Sequence, residues 1–271
     1  MVDRAYSDPV LAALYDALNP WGPGDDFHLG LVMSAASVLD VGCGTGALLR
    51  RARAAGHGGR LCGLDPAAAM LARAREAAAR ERVDVEWVLG DLGSASWERE
   101  FELVVMTGHA FQVLLGDEEV RTALAAVRSA LADGGRFAFE TRNPAARPWE
   151  RWTPEHAVEV ADGAGATVRV AHRVEEPVEG DAGGTGGTVR FTTTFTGPGW
   201  ERDSRSELRF PDMEALDGFL SGAGLTVVER YGDWGRGPLT AASPEIVTVA
   251  AVPRRRGGDP SGFHRSAGRR R

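Results

Sequence analysis

Gly42, Gly44 and Gly46 stand at every second position after the apolar run Val38-Leu39-Asp40-Val41, and they lead straight into Ala47-Leu48-Leu49-Arg50-Arg51-Ala52-Arg53. A strand that turns through glycines into a helix lets a ligand approach bare backbone at a positive helix N-terminus. The spacing departs from the dinucleotide pattern G-x-G-x-x-G, because the third glycine comes one residue early and Ala47 stands in its place. Asp40 sits inside the motif at the strand's carboxyl end. A carboxylate there suits a ligand with a cationic group better than a pyrophosphate. Asp65 follows Gly46 by 19 residues, where it can take both hydroxyls of a ribose. Asp91 can accept from an adenine amino group while Leu92 or Met70 packs on the ring. Thr107-Gly108-His109-Ala110-Phe111 is small and polar, and the aliphatic part of a ligand can pass there.

These groups must be held by strand ends. Apolar segments at 37–41, 60–65, 85–91, 101–107 and 136–141 alternate with helical stretches at 47–53, 66–80 (Pro66 at its start) and 117–131. That alternation implies βαβ crossovers and a parallel sheet, whose ligands lie outside the strands' carboxyl ends. Upstream, 7–18 and 25–36 read as two helices, with Ser7 or Asp8 as cap and Pro9 in the first turn. From His156 to Phe210 the period falls to two, as in Val168-Val170-His172-Val174 and Val189-Phe191-Thr193-Phe195. Three or four antiparallel strands are expected there, joined by a flexible Gly-rich connection at 180–187. The α/β rhythm resumes with a helix at 212–221 and strands at 225–231 and 245–252. The expected plan is a helical cap (1–36), a ligand-binding α/β domain (37–152 and 211–253), an antiparallel insert covering its carboxyl edge (153–210) and a disordered tail (254–271).

Composition narrows the chemistry. The 271 residues contain no lysine, so a P-loop, a pyridoxal Schiff base and a kinase ion pair are excluded. The formal charge is −7, with +6 in residues 253–271 and therefore −13 in residues 1–252. So acidic a body argues against a broad nucleic-acid surface. No apolar run is long enough to span a membrane and no secretory signal is visible, so a cytoplasmic protein is expected. Cys43 and Cys62, the only cysteines, read as reduced core thiols. The six histidines are scattered without metal-ligand spacing, and no metal is expected.

In combination these segments resemble the class I S-adenosylmethionine-dependent methyltransferases. Val-Leu-Asp-Val-Gly-Cys-Gly-Thr-Gly (38–46) is similar to that family's first motif. Gly-Leu-Asp (63–65), Gly-Asp-Leu (90–92), Phe-Glu-Leu-Val-Val (101–105) and Leu-Ala-Asp-Gly-Gly-Arg-Phe (131–137) are similar to the segments that follow. The resemblance spans residues 37–141. It implies a doubly wound, Rossmann-like α/β fold with a seven-stranded sheet, its last strand antiparallel. It also implies S-adenosylmethionine as cofactor, with Gly42, Gly44 and Gly46 at the methionine part, Asp65 at the ribose, and Asp91 with Leu92 at the adenine. Asp40, Pro66, Met70, Thr107 and Tyr15 complete the expected cofactor set. A looser resemblance, carried by Tyr-Asp-Ala-Leu-Asn-Pro-Trp (15–21) and Glu-Thr-Arg-Asn-Pro (140–144), is to bacterial sugar-amine and glycine N-methyltransferases.

The implied reaction is in-line transfer of a sulfonium methyl to nitrogen or oxygen of a small molecule. It depends on alignment and on exclusion of water. A hydroxyl acceptor needs a base, and His109 is the first candidate, against the plainer reading of a packing or capping ring. Tyr6 and Tyr15 can close over the cofactor, or Tyr15 can be a core-face residue. Tyr6, His109, Arg142 and Asn143, the last two beside Glu140, are candidate substrate contacts. His172 reads as a buried neutral ring. The insert's arginines (Arg169, Arg173, Arg190, Arg202, Arg205, Arg209) hint at an anionic group, though most should face solvent. The insert's strand edges suit a homodimer. Three alternatives remain: a non-catalytic cofactor-binding protein, a nucleic-acid methyltransferase, and a nicotinamide oxidoreductase. Against the second, Thr-Gly-His-Ala-Phe stands where an Asn/Asp-Pro-Pro-aromatic segment would hold a flipped base.

Overall fold

A computed structural model describes residues 2–177 and 187–253. Apart from Gly187, the Gly-rich connection expected at 180–187 lies outside the described residues, as does the tail expected to be disordered at 254–271. In chain order the strands are β1 (Ser37–Val41), β2 (Arg60–Asp65), β3 (Glu86–Leu89), β4 (Phe101–Met106) and β5 (Leu131–Arg142). Then come β6 (Val158–Ala161), β7 (Thr167–Pro177), β8 (Gly187–Gly197), β9 (Trp200–Phe210), β10 (Thr226–Tyr231) and β11 (Glu245–Ala251). Seven form one sheet in the order β10-β11-β5-β4-β1-β2-β3; β6 to β9 form a second, four-stranded antiparallel sheet. In the larger sheet β11 runs antiparallel to both β10 and β5, as expected.

The period of two sorts the core. Leu39, Val104, Met106, Phe137 and Phe139 turn to one face, where helices α7 (Asp117–Ala130) and α8 (Met213–Gly222) cover them. Val38, Leu103, Val105 and Ala138 turn to the other, beneath α4 (Pro23–Val32) and α5 (Ala47–Ala54). A sheet covered on both faces needs near-continuous apolar strands, and Phe-Glu-Leu-Val-Val-Met is such a run.

Four boundaries differ from expectation. The single helix expected at 7–18 is three short ones: α1 (Arg4–Ser7), α2 (Pro9–Ala12) and α3 (Tyr15–Leu18). Asp8 is extended, and its carboxylate caps α2 by accepting from the Val10 amide. The break lets the segment serve two surfaces: Leu11 and Leu14 pack on Val168, Val170 and Phe195 of the small sheet. Ala12 packs on Ala67 and Met70, the latter on α6 (Ala68–Glu81). The second helix runs 23–32 rather than 25–36, starting at Pro23. The third strand ends at Leu89 because Gly90 takes a positive φ of 156°. The strand expected at 136–141 begins earlier, at Leu131, and Asp133-Gly134-Gly135 form an irregularity inside β5, where pairing to β4 jumps from Phe101↔Leu131 to Leu103↔Arg136.

Candidate functional site

Above the carboxyl edge of the large sheet lies a cavity of about 790 Å³, walled by the glycine loop, the N-terminal helices and the small sheet. Gly42 and Gly44 line it. Gly44 has φ +56°, and a Cβ there would stand 3.3 Å from Met70 Cε and 3.8 Å from the Tyr15 ring. The bare backbone is thus faced by a thioether and an aromatic ring. Asp65 holds the loop: its carboxylate accepts from the Gly44 amide and the Ala67 amide, each at 2.8 Å. Each oxygen keeps a second lone pair for a ligand hydroxyl.

Asp40 is only 1 % exposed, and its Oδ1 has no hydrogen-bond partner among the described residues. Burial first, then the charges of Asp65, Glu140 and Asp25, push its carboxyl up to about 8. A buried oxygen without a donor is costly, and it marks a place where a cationic or donor group belongs. Tyr15 lies over the loop, with its hydroxyl 3.5 Å from where a Gly108 Cβ would be. Tyr6 stacks edge-on against Tyr15 at 6.1 Å.

Glu140, on β5, joins the two halves of the wall. It binds His28 Nε2 at 2.9 Å and accepts the His109 amide at 2.9 Å. Burial alone would raise its carboxyl, but the facing His28 and His109 and their hydrogen bonds hold it below its ordinary value. His109 has φ +63°, left-handed for a non-glycine residue, and its Nε2 meets Glu245 at 2.9 Å. That arrangement leaves Nδ1 without a hydrogen-bond partner among the described residues. Arg142 ends β5, its guanidinium donating to Gln112 Oε1 at 3.1 Å and standing 5.4 Å from the Trp152 ring. Across the cavity, His172 Nδ1 bonds the Thr193 hydroxyl at 2.9 Å. Burial and then the Arg142 charge lower its affinity for a proton; the ring is half-buried and lines the cavity rather than lying fully buried as expected.

The cavity wall thus brings together Asp40, Gly42, Gly44, Asp65, Pro66, Met70, Thr107, His109, Tyr6, Tyr15 and Arg142. Four expected residues stand outside it. Gly46 is backed by Trp87, whose indole would lie 2.1 Å from an added Cβ. Asp91 is exposed, and it accepts from the Gly93 and Ser94 amides of its own turn. Leu92 is buried in the core cluster beneath α7. Asn143 donates to the Thr240 and Ser243 carbonyls and accepts from the Ala145 amide, fixing a loop. Sequence reasoning missed His28, which lines the cavity. It lies 112 residues from its partner Glu140, and no local pattern marks it.

Residues 38–135 match the family described as methyltransferase domain. Over 181 residues the chain is 33% identical to dTDP-3-amino-3,6-dideoxy-alpha-D-glucopyranose N,N-dimethyltransferase of Streptomyces fradiae. That match covers 61% of this chain and 66% of the relative, so the chain spans just under two thirds of the relative's length. An S-adenosylmethionine-dependent methyltransferase of Clostridium acetobutylicum superposes with a TM-score of 0.69 at 15% identity, covering 89% of this chain and 97% of that one. An amino pentose methyltransferase of Micromonospora echinaspora, solved with S-adenosylmethionine bound, superposes with a TM-score of 0.60 at 25% identity, covering 88% and 96%.

Proposed function

We propose that this protein methylates nitrogen or oxygen of a small molecule, starting from the match of residues 38–135 to a methyltransferase domain and from a fold shared with an S-adenosylmethionine-dependent methyltransferase. The observation that carries this reading is the single cavity that joins the glycine loop to a second, chemically different wall. Its volume is near the top of the roughly 300–1,000 Å³ typical of small-molecule sites, enough for donor and acceptor side by side.

The residues present fit S-adenosylmethionine. The unpartnered Asp40 Oδ1 suits its cationic end. The free lone pairs of Asp65 suit ribose hydroxyls, and Met70 with Pro66 offers apolar surface. When bound, the cofactor supplies an electrophilic methyl on sulfur. Everything else is the chain's work. Gly42 and Gly44 admit the ligand to bare backbone, and Thr107 leaves room beside it. Tyr15 and Tyr6 roof the loop and exclude water, which matters because the chemistry is displacement between aligned partners. The four-stranded sheet is the substrate lid. With Nε2 turned to Glu245, His109 Nδ1 is the atom that takes the acceptor's proton. Asp91 with Leu92 at an adenine, Gly46 at the methionine part and Asn143 at the substrate remain the sequence's assignments; the first requires the turn at 91–94 to share its carboxylate with the ligand.

Among the described residues no helix is long and apolar enough to cross a membrane, and both cysteines are free and buried, which accords with a cytoplasmic enzyme. Outer strands β6 and β9 offer the edges for a homodimer, which sedimentation at several concentrations tests.

Calorimetric titration of S-adenosylmethionine and S-adenosylhomocysteine into wild type, Gly44→Arg and Asp65→Ala tests the site. Micromolar binding to wild type, lost in both variants, is the expected result. Binding that survives Gly44→Arg removes the glycine loop from the site. No binding to wild type, with NAD(H) binding in its place, sinks the methyltransferase reading. Binding without turnover on any amine or hydroxyl acceptor returns the non-catalytic alternative. Once an acceptor is found, His109→Gln should slow turnover by about 100-fold without weakening S-adenosylhomocysteine; an unchanged rate makes His109 a packing residue.

A further inference from the structure

The acceptor's half of the cavity holds a cation with no ion-pair partner among the described residues. Arg142 is the only guanidinium lining the cavity among the described residues, and no carboxylate lies within ion-pair distance of it. Its partners are neutral: Gln112 Oε1 and the face of Trp152. Gln112 is itself fully buried. Its Oε1 also accepts the Arg142 amide at 3.2 Å, and its Nε2 donates to the Arg209 carbonyl at 2.7 Å. The side chain that orients the guanidinium is therefore fixed on both sides. A guanidinium held this way keeps most of its donors unused, and its planar fork matches a carboxylate. Burial already lowers its hold on its proton, with Glu245 the largest opposing charge.

The insert's own arginines do not share this task. Arg202 pairs with Asp8, Arg205 with Glu175 and Arg209 with Asp117, and none of the insert's arginines lines the cavity. On the insert side the wall around Arg142 is aromatic: Trp152 and Phe191 lie 4.7 Å apart, and His172 lies 5.9 Å from Phe191; on the strand side Glu245 of β11 is its cross-strand partner. Asp40 is level with Val105, and Val105 with Ala138, so Arg142 lies two strands across and four residues further along β5. At about 4.8 Å per strand and 3.3 Å per residue, the two backbones are roughly 16 Å apart.

We infer that the acceptor is a monoanion-bearing small molecule whose carboxylate seats on Arg142 while an apolar or aromatic body lies against Trp152 and Phe191. This rests on the methyl-transfer reading of the same cavity and sets its substrate apart from that of the Streptomyces fradiae relative. A nucleotide-linked sugar carries a diphosphate with about two negative charges, for which one guanidinium is too little. The remaining charged wall is acidic, with Asp16, Asp25, Asp40, Asp65 and Glu140 all lining the cavity.

The test is calorimetry on protein saturated with S-adenosylhomocysteine, using phenylacetate, 2-phenylethylamine and thymidine diphosphate as probes. Wild type is compared with Arg142→Gln and Arg142→Lys, each checked for an unchanged unfolding midpoint. Phenylacetate should bind wild type, bind Arg142→Gln at least tenfold more weakly, and recover partly in Arg142→Lys. 2-Phenylethylamine should not distinguish the variants, and thymidine diphosphate should bind no better to wild type than to Arg142→Gln. Four results overturn the inference. Phenylacetate fails to bind wild type; it binds wild type and Arg142→Gln alike; thymidine diphosphate binds more tightly than phenylacetate and only with Arg142 present; or Arg142→Gln weakens S-adenosylhomocysteine itself tenfold, which makes Arg142 a cofactor residue. If S-adenosylhomocysteine does not bind wild type, the methyltransferase reading fails separately. The phenylacetate arm on unliganded protein then still reads Arg142.

Discussion

Asp40 binds its proton far more tightly in the folded protein than in an unfolded chain, because burial and the neighbouring Asp65, Glu140 and Asp25 move it from 3.8 to about 8. Between those two values the folded state holds more protons than the unfolded one. Asp40 therefore erodes stability as pH rises from about 4 to about 8, and its effect is level above that. A cation beside Oδ1 reverses the preference and favours the ionised carboxylate. Binding of S-adenosylmethionine at pH 7 should release close to one proton from this group. Its affinity should climb with pH until about 8, and Asp40→Asn should flatten the climb. Titrations in two buffers of different ionisation heat measure the released proton directly; identical heats in both would remove Asp40 from the cofactor site. Asp40 and Asp65 were legible in the sequence because each ends an apolar run beside small residues. The His28–Glu140 pair was not, because a buried hydrogen bond between a helix and a strand 112 residues apart leaves no local pattern in either.

At the scale of elements, Gly46 shows why a motif can be read correctly and one of its members misplaced. Alternate glycines do mark the strand-to-helix turn, and all three have positive φ. Yet only two face the cavity; the third admits the indole of Trp87 from β3, which also lies 2.7 Å from where a Gly63 Cβ would be. The turn chemistry is local and visible, whereas the direction of approach depends on a strand two places away in the sheet. Gly46→Ala combines a left-handed φ of 70° with a clash against a ring, and should cost about 3 kcal/mol. Gly58→Ala, with nothing within 4 Å and no positive φ, should change stability by less than about 0.5 kcal/mol. Urea unfolding of both variants checks the pair, and equal midpoints would show that Trp87 does not depend on Gly46. The larger sheet was legible strand by strand because two-sided burial demands apolar runs. The break of 7–18 into three helices was not, because Leu11 and Leu14 obey helical spacing while answering to a sheet that begins only at Val158.

At the scale of the molecule, the N-terminal segment is the piece that touches everything. Arg202 of the small sheet grips Asp8, and Ser204 accepts the Ala5 amide. Leu11 and Leu14 pack on the small sheet, while Ala12 rests on the α6 side of the main domain and Tyr15 roofs the glycine loop. The floor of the acceptor's half and the ceiling of the donor's half are thus one continuous stretch of chain. On the methyl-transfer reading, such a stretch is expected to act as a turnstile: the donor enters before it closes, its closing builds the acceptor's seat, and the spent donor leaves last. The kinetic signature is a compulsory order: S-adenosylhomocysteine should inhibit competitively against S-adenosylmethionine and non-competitively against the acceptor. Competitive inhibition against both would mean that the two halves open independently.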